Sequence, residues 1–342
     1  MREYFVYFPF FVLHDWGRRS AEARCPHCAV MPKGNRTGGS SMEQLLSAEY
    51  IVSILLSGIS LGGQLALIAI GYTMVYGILR LINFAHGDVF MVAGLLGIYI
   101  SAALPMYIAI PVVIALTIGL GFFIERAAYK PLREAPRMSV MISAIGVSYL
   151  LQNTATYVTG GQPMTYPAIN ALTRTVSIAG ASTKLVVIIT PILVVALIVL
   201  LTTLINHTKI GMAMRAVSKD FETSRLMGIK INNVISMTFV IGSGLAVVGS
   251  ILYFTTYPAI TPTAGAMPGL KSFVAAVFGG IGSIPGAVIG AFLIGICETI
   301  IKGLPSSWNV SVFSDAFTFA LLIVILTCKP TGLFGEKATD KV

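Results

Sequence analysis

Apolar residues in this chain fall in long blocks, and charged residues punctuate the blocks rather than alternate with them. Residues 185–206 and 234–270 contain no Asp, Glu, Lys or Arg at all. Further apolar blocks cover 50–75, 88–104, 107–124, 139–158 and 312–328. Such blocks approach or exceed the roughly 20 residues a helix needs to cross a bilayer. The block 269–302 is longer still, and as one helix it would run to roughly 50 Å at 1.5 Å per residue. Its middle, Gly279-Gly280-Ile281-Gly282-Ser283-Ile284-Pro285-Gly286, cannot be regular helix throughout. Two pieces are expected, with the break buried in protein or lining a cavity. The pattern therefore predicts an all-α polytopic membrane protein with about eight membrane-embedded segments, including this broken or re-entrant pair.

Between the two uncharged blocks lies a polar island, residues 207–233, carrying Lys209, Arg215, Lys219, Asp220, Glu222, Arg225 and Lys230. Residues 218–227 read as one short helix. Ser218 is placed to cap it, Asp220 and Glu222 lie in the first turn where the dipole favours acids, and Gly228 stands where a left-handed cap is expected. The plain reading is a solvated loop. The sharper one is a helix that docks on a cytoplasmic motor. Residues 159–184, rich in Thr, Gly, Pro and Ala, read as the longest of the remaining loops.

Composition agrees with the membrane reading: 56% of residues are hydrophobic and 11% charged, against about 25% charged in soluble domains. The net charge of +9 comes without a basic stripe interleaved with aromatics, so nucleic acid is not implied as a partner. The bases cluster at span ends instead. Grouping the turn at 80–88, the loop at 126–138, the central loop and the C-terminus on one side places 13 Lys/Arg there. Four lie opposite (Arg174, Lys184, Lys271 and Lys302), and the excess marks the cytoplasm. Residues 1–41 stand apart, with six Lys/Arg and a flexible run MPKGNRTGGSS. They are expected to be a disordered or artefactual extension with the natural start at Met42. Residues 42–335 then form the membrane domain and 336–342 a short cytoplasmic tail.

Several patterns carry no chemistry in this context. Gly58-Ile59-Ser60-Leu61-Gly62 matches the serine-hydrolase elbow, which needs a strand–turn–helix setting. Here Gly58, Gly62 and Ala66 read as a small-residue stripe for close helix packing. Cys25 and Cys28 form a lone CPHC, while Cys297 and Cys328 lie in apolar spans and read as small packing residues. No nucleotide-binding P-loop, HExxH or tandem CxxC pattern occurs, so neither metal nor cofactor is implied and any ATP-driven motor is a separate subunit. Asn83, His86 and Asp88 are the polar residues of LINFAHGD. The plain reading makes Asp88 a helix cap with Gly87 giving the turn; the functional one makes the three a cytoplasmic gate or a contact with a partner permease. Candidates for a translocation path are Gln64, Thr73, Asn153 and Ser243, with the break at Gly279, Gly280, Gly282 and Gly286. Polar groups of this kind more often simply join helices. Glu298 and Asp315, near span ends, are placed to snorkel, with a modest claim on the path.

Three stretches carry a family resemblance: YGILRLINFAHGDVFMVAG at 76–94, GMAMRAVSKDFETSRLMGIKIN at 211–232 and GLKSFVAAVFGGIGSIPGAVIGAFLIG at 269–295. Their order and sequence resemble the branched-chain amino acid permeases of ABC importers, in particular the LivH type, over roughly residues 43–335. The resemblance implies a non-enzymatic transport subunit of the bacterial inner membrane, with its C-terminus cytoplasmic. It also implies a homologous permease partner, two cytoplasmic ATPases, a periplasmic substrate-binding protein and contact with membrane lipid. The family's coupling loop maps onto Ala216, Asp220, Glu222, Arg225, Leu226 and Gly228, with Phe221 and Met227 supplying apolar contact. Branched-chain amino acids are the implied substrates; urea, short amides and other amino acids are the alternatives within the same importer type. An ion-coupled secondary transporter is the reading from a different class, and it needs a carboxylate near the membrane midplane.

Overall fold

The computed structural model describes residues 48–334, apart from 134, 170–171, 179–180, 281, 305–309 and 330–331. The expectations for residues 1–41, including Cys25 and Cys28, and for the tail 336–342 lie outside the described residues.

The first helix, α1 (Ala48–Leu79), is the centre of the bundle. Leu65, Ala66, Leu67, Ile68, Ala69 and Ile70 are each no more than 1% exposed. Six consecutive residues cover every side of a helix, so α1 is enclosed all round at this depth. Helices α2 (His86–Ala103) and α3 (Met106–Ile124) follow, and α3 runs into a π-helical turn at Glu125–Tyr129. Next come α4 (Arg137–Thr159) and α5 (Leu185–His207), then the short pair α6 (Lys209–Lys219) and α7 (Phe221–Leu226), then α8 (Ile231–Thr256). The bundle closes with α9 (Ala266–Gly279), α10 (Ile284–Gly303) and α11 (Ser314–Cys328).

Among the described residues, six helices are long and apolar enough to cross a membrane: α1, α2, α3, α5, α8 and α10. The expectation of about eight is therefore supported for six. Helix α4 has 23 residues but is more polar, while α9 and α11 have only 14 and 15 residues. The all-α expectation also needs amending in the loop 159–184. There β1 (Met164–Thr165) pairs antiparallel with β4 (Ala259–Ile260), and β2 (Thr175–Ile178) with β3 (Ala181–Lys184). These short ladders satisfy backbone groups in a segment too irregular for helix.

The break in 269–302 occurs as expected. Gly280 and Gly282 have φ of +105° and +99°, a region L side chains rarely enter. Ser283 then caps α10, its Oγ accepting from the Gly286 amide at 3.3 Å. The two pieces fold back as a hairpin so tight that a Cβ on Gly279 would lie 2.0 Å from the Gly286 carbonyl oxygen. The free carbonyls at the end of α9 are met by a later segment: the amides of Leu333 and Phe334 donate to Phe278 and Gly279 at 2.9 and 3.0 Å. That strap removes the cost of leaving a helix end unsatisfied in an apolar setting.

The Gly58–Gly62 stripe is the seam between α1 and α10. A Cβ on Gly62 would lie 2.7 Å from the Phe292 Cα, and one on Gly58 2.9 Å from the Ile296 Cα. Cys297 and Cys328 face outward, so the packing role expected of them is not what the structure shows. Outward positions on an apolar helix are open to any small side chain.

Gly279→Ala should lower the thermal unfolding midpoint in detergent, because the added methyl must push two backbones apart, a cost of about 1–3 kcal/mol or more. Gly119→Ala meets nothing within 4 Å and should be neutral or stabilising by up to about 1 kcal/mol. Equal midpoints for the two variants would contradict the tight hairpin.

Candidate functional site

The polar island folds as two helices, not one. Asp220 is extended (φ −150°, ψ 114°) and separates α6 from α7. Its carboxylate accepts from the amides of Glu222 and Thr223 at 3.1 and 3.2 Å, so the cap is Asp220 and not Ser218. Ser218 sits in the last turn of α6 and donates to the Arg215 carbonyl. An aspartate side chain competes with continued helix for exactly those amides that a cap must satisfy, so the chain breaks at Asp220. Ala216 accordingly lies on α6, half-buried, and not on α7. Gly228 takes φ +81° as expected, and the Ile229 amide returns to the Ser224 carbonyl at 3.1 Å.

Helix α6 is anchored by Gly211, Met214 and Val217, all buried, on one face at helical spacing. Helix α7 buries only Ser224. Leu226 and Met227 are 86% and 78% exposed, and Phe221 is 43% exposed. A six-residue helix capped at both ends thus presents two bare apolar side chains to its surroundings. Phe221 and Arg225 point elsewhere, into a cavity of about 920 Å³ that is also lined by Arg80, Arg133, Lys219 and Lys230.

Beside this cavity lies an ion pair with no precedent in the sequence pattern. Glu125, wholly buried, pairs with Arg133. Its second oxygen accepts from the Ser236 hydroxyl at 2.7 Å, and Arg133 also donates to the Asn232 side chain. The start of α8, which follows α7 directly, is therefore clamped to the end of α3. The π-helical turn at Glu125–Tyr129 sets this geometry and turns Tyr129 to donate to Asn83 Oδ1 at 2.6 Å.

Asn83, His86 and Asp88 lie at one end of α2 but hold three different neighbours. Asp88 does not cap. The helix begins at His86 with no side-chain cap bond, and Asp88 accepts from Ser148 and from Gln152 (3.0 Å), both on α4. A buried carboxylate finds more stabilisation from two side-chain donors than from its own helix amides. Gly87 does not make a left-handed turn either; a Cβ there would lie 2.7 Å from the Gly265 carbonyl, so it allows α2 and α9 to touch. The His86 ring fills a slot against Gly71, edge-on to Tyr72 at 5.1 Å, with Nε2 buried and without a hydrogen-bond partner.

The path candidates do not converge on a common cavity among the described residues. Gln64 is buried and donates weakly to the Leu252 carbonyl and to Thr256 (3.4 and 3.3 Å), while its Oε1 has no partner. Thr73 Oγ1 is likewise buried and unpartnered. Ser243 packs on Gly121, and Asn153 is exposed, donating to the Tyr149 carbonyl of its own helix. Gly279, Gly280, Gly282 and Gly286 form the hairpin described above. Glu298 does not snorkel. It is 1% exposed and pairs with Lys271 at 2.6 Å and with Lys302; Lys271 also reaches Asp315 at 2.7 Å. Sequence spacing could not align residues 271, 298 and 315, because the turn of the hairpin decides which faces meet.

Comparison with known proteins gives a consistent result. The profile of the family described as "Branched-chain amino acid transport system / permease component" matches residues 54–326. The LivH permease protein of a high-affinity branched-chain amino acid transport system in Escherichia coli is 38% identical over 307 residues, covering 86% of this chain and 98% of that protein. The LivH protein of Salmonella typhimurium is 40% identical over 309 residues, with the same coverage. The BraD permease protein of Pseudomonas aeruginosa is 38% identical over 307 residues, covering 84% of this chain and 97% of its own length.

Arg133→Met should cost about 3–5 kcal/mol, because it leaves the Glu125 carboxylate buried without its cation. The double variant Glu125→Gln/Arg133→Met should recover most of that loss. Unfolding midpoints in detergent read both, and an undiminished midpoint for Arg133→Met would show that the pair carries no net weight.

Proposed function

Because this chain belongs to the family of branched-chain amino acid transport system permease components, we propose that it carries leucine, isoleucine and valine across the bacterial inner membrane as the membrane-spanning subunit of an ATP-driven importer. The observation that carries this reading is 38–40% identity to the LivH proteins along nearly their whole length. ATP hydrolysis belongs to two cytoplasmic ATPase subunits. A second, homologous permease completes the membrane unit and a periplasmic binding protein delivers the substrate.

The mechanical input is α7. Its exposed Leu226 and Met227 supply the apolar contact for an ATPase groove, with Glu222 beside them and Asp220 holding the helix rigid through its cap. Movement of α7 is passed to α8 by direct continuity and from α8 to α3 through Glu125 and Arg133. The charge excess supports a cytoplasmic position for this loop and the C-terminus. Asn83, His86 and Asp88 form a joint between α2, α4 and the π turn, suited to gating. Helix α4 presents Tyr149, Leu150, Asn153, Thr154 and Tyr157 outward, a mixed polar and apolar face suited to the partner permease and the path between subunits. Gln64 and Thr73 qualify as path residues because their buried, unpartnered oxygens would be satisfied by water or a passing polar group. Ser243 and the Gly279–Gly286 hairpin are proposed with them as parts that let helices shift at close approach.

In cells lacking their own branched-chain amino acid permease, this chain with its cognate subunits should restore uptake of labelled leucine, and excess unlabelled isoleucine or valine should compete while urea does not. Competition by urea alone would move the assignment to the amide transporters. Leu226→Asp with Met227→Asp should abolish ATPase co-purification or substrate-stimulated hydrolysis while permease abundance stays normal. Arg225→Glu, which faces the cavity, should weaken coupling less. Full stimulated hydrolysis in the double variant would make this loop an ordinary connector.

A further inference from the structure

The cavity behind α7 has a composition that ATPase docking does not explain. Among the described residues that line it, five are basic (Arg80, Arg133, Lys219, Arg225 and Lys230) and none is acidic. Glu125 neutralises Arg133; Arg80, Lys219, Arg225 and Lys230 line the same space. Arg80 is held at φ +55°, the one non-glycine residue with positive φ among those described, at a cost of roughly 1–2 kcal/mol. That turn brings its guanidinium to the Ser218 carbonyl at 3.3 Å, across the cavity from the end of α1. The remaining walls are aliphatic, among them Ile78, Val140 and Ile231. They come from the ends of α1, α4 and α8, where the chain leaves the membrane core.

We infer that this cavity holds the headgroup of an anionic glycerophospholipid, with its phosphodiester among the bases and the first part of an acyl chain against the aliphatic walls. Basic pockets between helices at the cytoplasmic face of a membrane recognise such headgroups. A volume of about 920 Å³ admits a headgroup with part of a chain, whereas free phosphate would leave the aliphatic walls wet. An acidic surface of an ATPase is the less suited occupant, because the two most exposed apolar side chains at α7, Leu226 and Met227, do not line the cavity. A lipid seated here touches α6, α7 and α8 at once, so it would brace the helix that receives the mechanical input. The inference rests on the loop being cytoplasmic, as proposed above, but lipid retention is read without any transport, so the two can fail separately.

The test uses the assembled permease–ATPase complex, delipidated and exposed to dioleoyl phosphatidylglycerol or dioleoyl phosphatidylcholine, with retained lipid counted by native mass spectrometry. Phosphatidylglycerol should be retained on each copy of this chain and phosphatidylcholine should not. Each of Arg80→Gln and Lys230→Gln should weaken retention about fivefold, the pair about 25-fold, from roughly 1 kcal/mol per base. Arg174→Gln removes an exposed base outside the cavity and should change nothing. If Arg80→Gln fails to assemble, Lys230→Gln alone decides. Equal retention of the two lipids, or equal loss in Arg174→Gln, would overturn the site. Displacement by millimolar inorganic phosphate would make it a free-anion site, and retention only in the absence of the ATPases would make it their docking surface; either result also overturns the inference.

Discussion

Close approach of backbones at glycine is the constraint on which this fold depends. Lipid tails are as apolar as the side chains of a span, so helices in a membrane gain little from hiding apolar surface from one another. What remains is van der Waals contact and hydrogen bonding at short range, and glycine is the residue that permits it. The α1–α10 seam at Gly58, Gly62 and Gly295 brings Cα atoms close enough that a single Cβ would collide with backbone. The α9–α10 hairpin repeats the device at Gly279 and Gly286, and Gly87 meets Gly265 and Gly269 where α2 crosses α9. Remove these contacts and α1 loses the shell that encloses it.

Polar groups do the second part of the work. A charge at membrane depth is costly alone and becomes tolerable when paired and hydrogen-bonded. Glu125 with Arg133 and Ser236, Asp88 with Ser148 and Gln152, and Glu298 with Lys271 and Lys302 each join helices that are distant in sequence. The first connects α8 to the end of α3, and the second connects α2 to α4. These helices are thus joined by directional bonds rather than by a slack apolar interface alone. The third group lies near the far ends of α9 and α10, where it ties the broken pair to α11.

Much of this was legible in the residue pattern. Uncharged blocks marked the long helices, since a span cannot carry unpaired charge through hydrocarbon. The glycine–proline run at 279–286 marked the break, because neither residue continues a helix well. Gly58, Gly62 and Ala66 marked a packing stripe, and Gly228 a left-handed cap. These features depend on local conformation or on the period of one helix, and both are written along the chain.

What the linear pattern left open needed partners from elsewhere. Asp88 read as a cap because its own helix began nearby, but the donors it meets belong to α4. Glu298 read as a snorkelling end residue because Lys271 lies 27 positions away and only the hairpin turns the two towards each other. Residues 218–227 read as one helix, whereas the break at Asp220 gives α7 its own direction and brings Arg225 to the cavity that Arg80 also lines. The chain alone determined where the long apolar helices run and where the block 269–302 breaks. Tertiary structure alone decided which buried charge meets which, because that depends on helix rotation and crossing, quantities that short-range propensity does not constrain.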